Sequence, residues 1–299
     1  MDSPPVAVPH RRGRRVLLIP PVTGKSASWA VTLAGATDDQ VCDQLARKAW
    51  VTTRELDPDT ATVSVGGITL ADLRPPEPDL LLGVRRPASY AGMRTYIGQL
   101  PVPTRRFRSR SVWFESRNEL NHYRDLVLDG GVSELATQPM RLSWSLKDGL
   151  RHHYPDALSR EADGTLTLID VTSASKLRDP RALAVFALTA ATAYAAGWDY
   201  QLRTELPAQR VTNLAALRRH RLDPPTPEER QRLACLTFPC QAHTIVSTFG
   251  GGPDGLTCLW RLLATRALFT DLDHALQPDT PVHERPLTGK GKPPWLVPL

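Results

Sequence analysis

Glu119, Asp156 and Asp170 are the residues of this 299-residue chain whose types and settings could do chemistry together. Glu119 falls in a helical stretch beside Leu120, Asp156 follows Pro155, and Asp170 closes the apolar run Leu166-Thr167-Leu168-Ile169. Carboxylates brought in from separate elements hold a hard divalent cation through oxygen. A cation so held beside a water is what phosphodiester hydrolysis requires. Each residue also has a purely structural explanation. Ser116-Arg117-Asn118-Glu119 matches a helix capping box, Asp156 suits a turn after Pro155, and Asp170 can cap the turn at Thr172-Ser173. Asp170 weighs most, because an Asp within an apolar strand is costly to desolvate and a cation offsets that cost.

The surrounding periodicities set the elements that must position these groups. Ser111–Asp129 reads as a helix, with Leu120, Tyr123 and Val127 on one face and Gly130-Gly131 as its stop. Met140, Leu142, Trp144 and Leu146 alternate with polar residues as a half-buried strand, and Lys147-Asp148-Gly149 reads as a turn. A second strand is expected from His152 to Leu158, a turn over Glu161–Gly164 and a third strand over Thr165–Val171. A hairpin of the last two strands would bring Asp156 and Asp170 to one edge. Asp179 and Pro180 suit the cap and first turn of an Ala-rich helix running to Gly197, and Trp198–Leu206 reads as one more strand. Helix, three strands, helix, strand predicts a mixed α/β domain. Strand alternation sends His152 and His153 to opposite faces, so one of them could touch DNA or metal, but both read as partly exposed strand histidines and are left out of the catalytic set.

At this point the residues resemble a family. Phe114–Glu119, Gln138-Pro139, Tyr154-Pro155-Asp156-Ala157-Leu158 and Ile169-Asp170-Val171 look like the blocks of the restriction-endonuclease-like PD-(D/E)xK nucleases. The Gln-Pro step and the order of parts are most similar to the TnsA-type endonuclease subunits of heteromeric cut-and-paste transposases. The resemblance covers residues 110–206. It implies a mixed sheet flanked by helices, with Mg²⁺ or Mn²⁺ held by Glu119, Asp156 and Asp170. Glu115, one helical turn earlier, competes with Glu119. It further implies cutting of one strand at transposon ends, with DNA, a DDE-type transposase and an AAA+ ATPase as partners. One departure matters. Where the family carries a lysine, two positions after Asp170, this chain has Thr172. Lys176 or Arg178 could supply the missing cation, with Lys176 placed in the catalytic set. The alternative is a weakened or inactive subunit that binds DNA ends and assembles the complex. A third reading is a stand-alone nuclease.

Outside that block, Val63-Ser64-Val65 and Ile68-Thr69-Leu70 around Gly66-Gly67 predict a small hairpin. Thr23-Gly24-Lys25-Ser26 ends like a phosphate-binding loop, but Ile19 stands where its first glycine is required, which excludes that motif. Arg105, Arg106, Arg108 and Arg110 around Phe107 form either a solvated linker or a phosphate-contacting strip. Helices are expected near 213–220, 227–236, 241–248 and 256–266. A short β-wing at Leu268–Leu276 would complete a winged helix. The expected domains are an N-terminal extension (1–100), a nuclease-like domain (101–208) and a winged-helix-like domain with a loose tail (209–299).

Composition bounds this reading without deciding it. The formal charge of +6 suits a polyanionic partner. No apolar run approaches 18 residues, so no membrane helix is expected. The N-terminal Met1–Arg15 reads as a basic tail followed by too short an apolar stretch for a signal peptide, so a cytoplasmic protein is expected. Cys235, Cys240, His243 and Cys258 lack the spacing of a zinc knuckle, and the four cysteines read as reduced thiols.

Overall fold

The computed structural model describes residues 49–85, 96–107, 109–128, 132–146, 149–220, 224–287 and 296–297. The Thr23–Ser26 motif, Cys42, Arg108, Gly130-Gly131 and the Lys147-Asp148 step lie outside them. The chain divides into two compact units, one of residues 1–116, 132–204 and 296–299, the other of residues 117–131 and 205–295.

The first unit begins with strands β1 (Ala49–Leu56), β2 (Val63–Thr69), β3 (Leu81–Leu82), β4 (Gly98–Val102) and β5 (Arg110–Phe114). It continues with β6 (Glu134–Thr137), β7 (Met140–Leu146), β8 (Gly149–His153), β9 (Ala157–Arg160) and β10 (Leu166–Val171). Helix α2 (Pro180–Ala195) and strands β11 (Asp199–Arg203) and β14 (Leu296–Val297) complete it. Helix α1 (Arg117–Leu128) belongs to the second unit.

Two sheets share one core in the first unit. One runs β2-β1-β7-β8, with β3 also paired to β1, and the other runs β14-β11-β10-β9-β6. Val51, Leu142 and Trp144 from the first sheet, Leu158, Leu168 and Leu202 from the second, and the alanine-rich face of α2 bury together. Trp144 donates its indole N–H to Thr192 Oγ1 on α2 at 3.0 Å, so the buried ring leaves no polar atom unsatisfied. Among the described residues only β10 and β11 pair in parallel, and α2 is the crossover between them, as a parallel pair demands.

Several expected elements take a different form. Gly66 and Gly67 do not turn the chain but lie inside β2, opposite Thr53 and Thr52 of β1. The actual turn is at Asp57, whose carboxylate accepts from the backbone N–H of Asp59 and Thr60. Residues 49–53 of β1 pair with Met140–Trp144 of β7. Residues 111–114 are strand, with Val112 and Phe114 buried and Trp113 outward, and the helix starts only at Arg117. Gly98 on the paired strand is needed there, because a Cβ would lie 2.4 Å from the Phe114 ring. The expected strand from His152 to Leu158 is broken at Tyr154-Pro155-Asp156 into β8 and β9, which belong to different sheets. Pro155 has no N–H for a ladder, so the chain can leave one sheet there and enter the other.

Helix α2 starts as expected. Asp179 accepts from Arg181 N at 2.9 Å and Pro180 occupies the first turn. Asp179→Ala is expected to cost about 1 kcal/mol in urea unfolding. A midpoint unchanged from the parent would show that packing alone sets this terminus.

The second unit packs α1 with α3 (Ala208–His220), α4 (Pro227–Ala234), α5 (Ala242–Thr248) and α6 (Gly252–Ala264), plus the short pair β12 (Cys240–Gln241) and β13 (Pro281–Val282). Leu120, Tyr123 and Val127 are all buried, as their spacing predicted. Thr226 and Glu229 form a full capping box at α4. Gly255 permits the close approach of α5 and α6, since a Cβ there would lie 2.2 Å from Val246 O. The expected wing at 268–276 is not a hairpin. Only Phe269 forms a bridge, to His283, and the small sheet is built from residues 240–241 and 281–282. Among the described residues no helix is long and apolar enough to cross a membrane.

Candidate active site

Asp156 and Asp170 come together in the first unit. Ala157 pairs with Ile169 in the antiparallel ladder of β9 and β10, which sets Asp156 opposite Asp170 where the ladder ends. Asp156 folds over that end and accepts from Val171 N at 2.7 Å. Asp170 is fully buried. Its Oδ1 lies 2.9 Å from His153 Nε2, and its Oδ2 accepts from the Tyr200 hydroxyl at 2.7 Å. Burying a carboxylate is costly, and the donors around Asp170 offset part of that cost. Tyr200 registers both charges. Burial first, then Asp170 and Asp156, push its hydroxyl well above the usual tyrosine range, so it remains a donor.

His153 was not legible as a site residue. Its strand, β8, lies in the other sheet, and only tertiary packing brings it to Asp170. Its ring also meets Phe186 of α2 edge-on, with centroids 6.2 Å apart, which fixes the imidazole plane. His152 points elsewhere, to Ser143 Oγ at 2.9 Å, as alternation requires.

The Gln138-Pro139 step adjoins this pair. Gln138 donates its backbone N–H to Asp156 O at 2.8 Å and accepts from Val84 N at 3.0 Å. It holds φ +45°, a left-handed conformation disfavoured before proline and retained because both of its backbone groups are bonded. Arg85 stands beside it. Its Nη2 lies 2.6 Å from Glu115 Oε2, its Nε is 3.5 Å from Gln138 Oε1, and its guanidinium lies 5.6 Å from the Tyr154 ring centroid. Arg85 was missed because nothing local marks it. A loop arginine becomes part of this edge only through β1 and β3.

The remaining expected residues are placed as follows. Glu119 is buried on α1, within the second unit, and Glu115 is partly exposed in the first. Thr172 is buried, and its backbone N–H donates to Arg203 O at 2.8 Å. Lys176 and Arg178 are exposed on the 3-10 turn Lys176–Arg178. In the basic strip, Arg105 pairs with Glu134 at 3.7 Å and Arg106 with Glu77. Arg110 is turned inward onto Asp79, Pro78 O and Leu81 O, and burial pulls its guanidinium below the usual arginine range. Asp79 is the organiser of this loop, accepting also from Thr104 Oγ1 and from Arg105 N at 2.6 Å.

Among the described residues no three His, Cys, Asp or Glu side chains gather as a metal cluster, at the carboxylates or at the cysteines. Cys258 instead contacts Glu229 and Arg261. The donor chemistry of Asp156 and Asp170 nonetheless fits Mg²⁺ in kind. That ion commonly takes only one or two protein carboxylates and completes its shell with water and substrate phosphate oxygens.

The class this fold defines is mixed α/β, with largely antiparallel sheets and helices. No family model matches the chain, and no curated protein matches it.

Proposed function

We propose that this protein is a metal-dependent DNA endonuclease, the subunit of a heteromeric transposase that cuts one strand at each transposon end. The observation that carries the reading is the carboxylate pair. Asp156 and Asp170 lie at the end of adjacent strands, with the strained Gln138 bonded to the backbone of Asp156. Restriction-endonuclease-like nucleases, which the sequence blocks resemble, use a pair so disposed. The resemblance implies Asp156, Asp170 and the helix carboxylate Glu119 as the ligands of Mg²⁺ or Mn²⁺. The ion would supply a water of lowered pKa and neutralise phosphate charge. His153 and Tyr200 hold the two oxygens of Asp170 in place, and the Val171 N–H holds Asp156. The implied partners are DNA ends, a DDE-type transposase and an AAA+ ATPase. The test is nicking of end-containing DNA under Mg²⁺ and under Mn²⁺ with the partner transposase present. Metal-dependent nicking supports the reading, and its absence in both metals overturns it.

One observation favours the second reading, a subunit that binds DNA ends without cutting. Both oxygens of the buried Asp170 are already engaged, and Thr172 carries no charge. Lys176→Ala and Thr172→Lys separate the cases. If Lys176 supplies the cation, its loss lowers nicking by ~10²–10³-fold, the scale of losing one transition-state donor, and Thr172→Lys changes little. If nothing supplies it, Lys176→Ala is neutral and Thr172→Lys gains activity. An inert parent whose Asp156→Ala variant still supports transposition leaves the assembly reading.

A further inference from the structure

We propose that the cleft beside the carboxylate pair binds a single-stranded stretch of DNA, with Trp113 as the platform for an unstacked base and Arg85 as the contact to its phosphate. This rests on the nucleic-acid reading above and names how that site would take its substrate. The cleft has a volume of about 410 Å³, enough for a nucleotide, and Arg54, Arg85, Arg110, Phe107, Trp113 and Gln138 line it. Gln138 is shared with the carboxylate edge through its N–H bond to Asp156 O. A strand seated in the cleft therefore passes beside Asp156.

The lining combines guanidinium groups with aromatic faces, the combination that holds unpaired strands without reading their sequence. Trp113 is 48% exposed, since β5 alternation turns it away from the core that Val112 and Phe114 enter. An indole left in water at a cleft wall gains contact area when a base stacks on it. The arginines divide the work. Arg54 donates to Gly83 O at 2.8 Å, and Arg110 donates to Pro78 O and Leu81 O. Those bonds stiffen the rim. Arg85 is about half exposed and pairs with a partly exposed Glu115, an ion pair of little net worth that a phosphate can replace. Three guanidiniums against Asp79 and Glu115 leave the cleft net positive.

The test is binding without cleavage. A 5′-labelled oligothymidylate and a blunt duplex are titrated by fluorescence anisotropy in EDTA, at several salt concentrations, with the full chain. Trp113→Ala should weaken oligothymidylate binding by about 5- to 150-fold, the range of one base–aromatic stack. Arg85→Ala should reduce the salt slope by about 0.7, one phosphate contact on a single strand, and Arg85→Lys should retain it. Trp50→Ala, an exposed tryptophan on β1 outside the cleft, should bind like the parent. Thermal melting of each variant checks the fold. If Trp113→Ala and Arg85→Ala bind the single strand as the parent does, or if only the duplex depends on them, the proposal is overturned. Loss of nicking in Asp156→Asn would still uphold the nuclease reading in that case. Conversely, cleft-dependent binding by a parent that never nicks would sink the nuclease reading and leave the cleft standing.

Discussion

Asp156→Asn and Asp170→Asn are each expected to remove Mg²⁺-dependent nicking, by at least ~10²–10³-fold, while leaving the protein folded. The magnitude follows from losing an anionic ligand at a centre whose charge would activate water and stabilise the transition state. Asparagine is the informative choice because it retains shape and an acceptor oxygen. In Asp156→Asn the amide oxygen can still accept from Val171 N, which donates to the Asp156 carboxylate at 2.7 Å. In Asp170→Asn the oxygen can still accept from the Tyr200 hydroxyl. Melting should therefore shift by only a few degrees. Glu119→Gln and Glu115→Gln, measured alongside, decide which helix carboxylate belongs to the chemistry, and the reading expects the loss at Glu119. Nicking at parental rates in both aspartate variants would remove the metal assignment altogether.

Arg210→Ala is expected to destabilise the second unit by about 3–5 kcal/mol, the cost of breaking a buried ion pair. Arg210 Nε donates to Asp125 Oδ1 at 2.7 Å, and Nη1 reaches Asp273 Oδ1 at 2.9 Å. Asp125 lies on α1 and is buried, so one guanidinium on α3 joins α1 to the segment after α6. One turn along α3, Asn213 Nδ2 donates to Leu272 O at 2.9 Å and His274 O at 2.8 Å, gripping the same segment. Removing the arginine leaves Asp125 buried without its guanidinium. Removing both charges does not, so Arg210→Met combined with Asp125→Leu should recover much of the loss. Chemical denaturation of the parent, Arg210→Ala and the double variant reads this directly. A loss under 1 kcal/mol for Arg210→Ala would show that the pair is solvated and dispensable.

Local chemistry made the helices readable from sequence. The apolar stripe of Leu120, Tyr123 and Val127 is buried as its spacing requires, because 3.6-residue periodicity places those side chains on one face whatever the helix packs against. The Asp179-Pro180 start of α2 was equally legible, since a cap is a contact between residues two apart in the chain. Strands were less so. Leu166–Val171 was readable from its own apolar run. The fate of Gly66-Gly67 depended on whether β1 offered a ladder that extended glycine could join, and it did.

The sequence by itself determined the mixed α/β class, the helix faces and caps, and the candidacy of Asp156 and Asp170. Each of these depends on residue type and short-range spacing. Tertiary structure alone decided that Pro155 sends the chain from one sheet to the other, that β1 pairs with β7, and that His153, Tyr200 and Arg85 join the carboxylate edge. Those residues lie in separate strands and loops, up to 115 positions from Arg85 to Tyr200. A hydrogen bond between distant residues leaves no periodic trace in either segment, because its partner is chosen by register and packing rather than by neighbours in the chain.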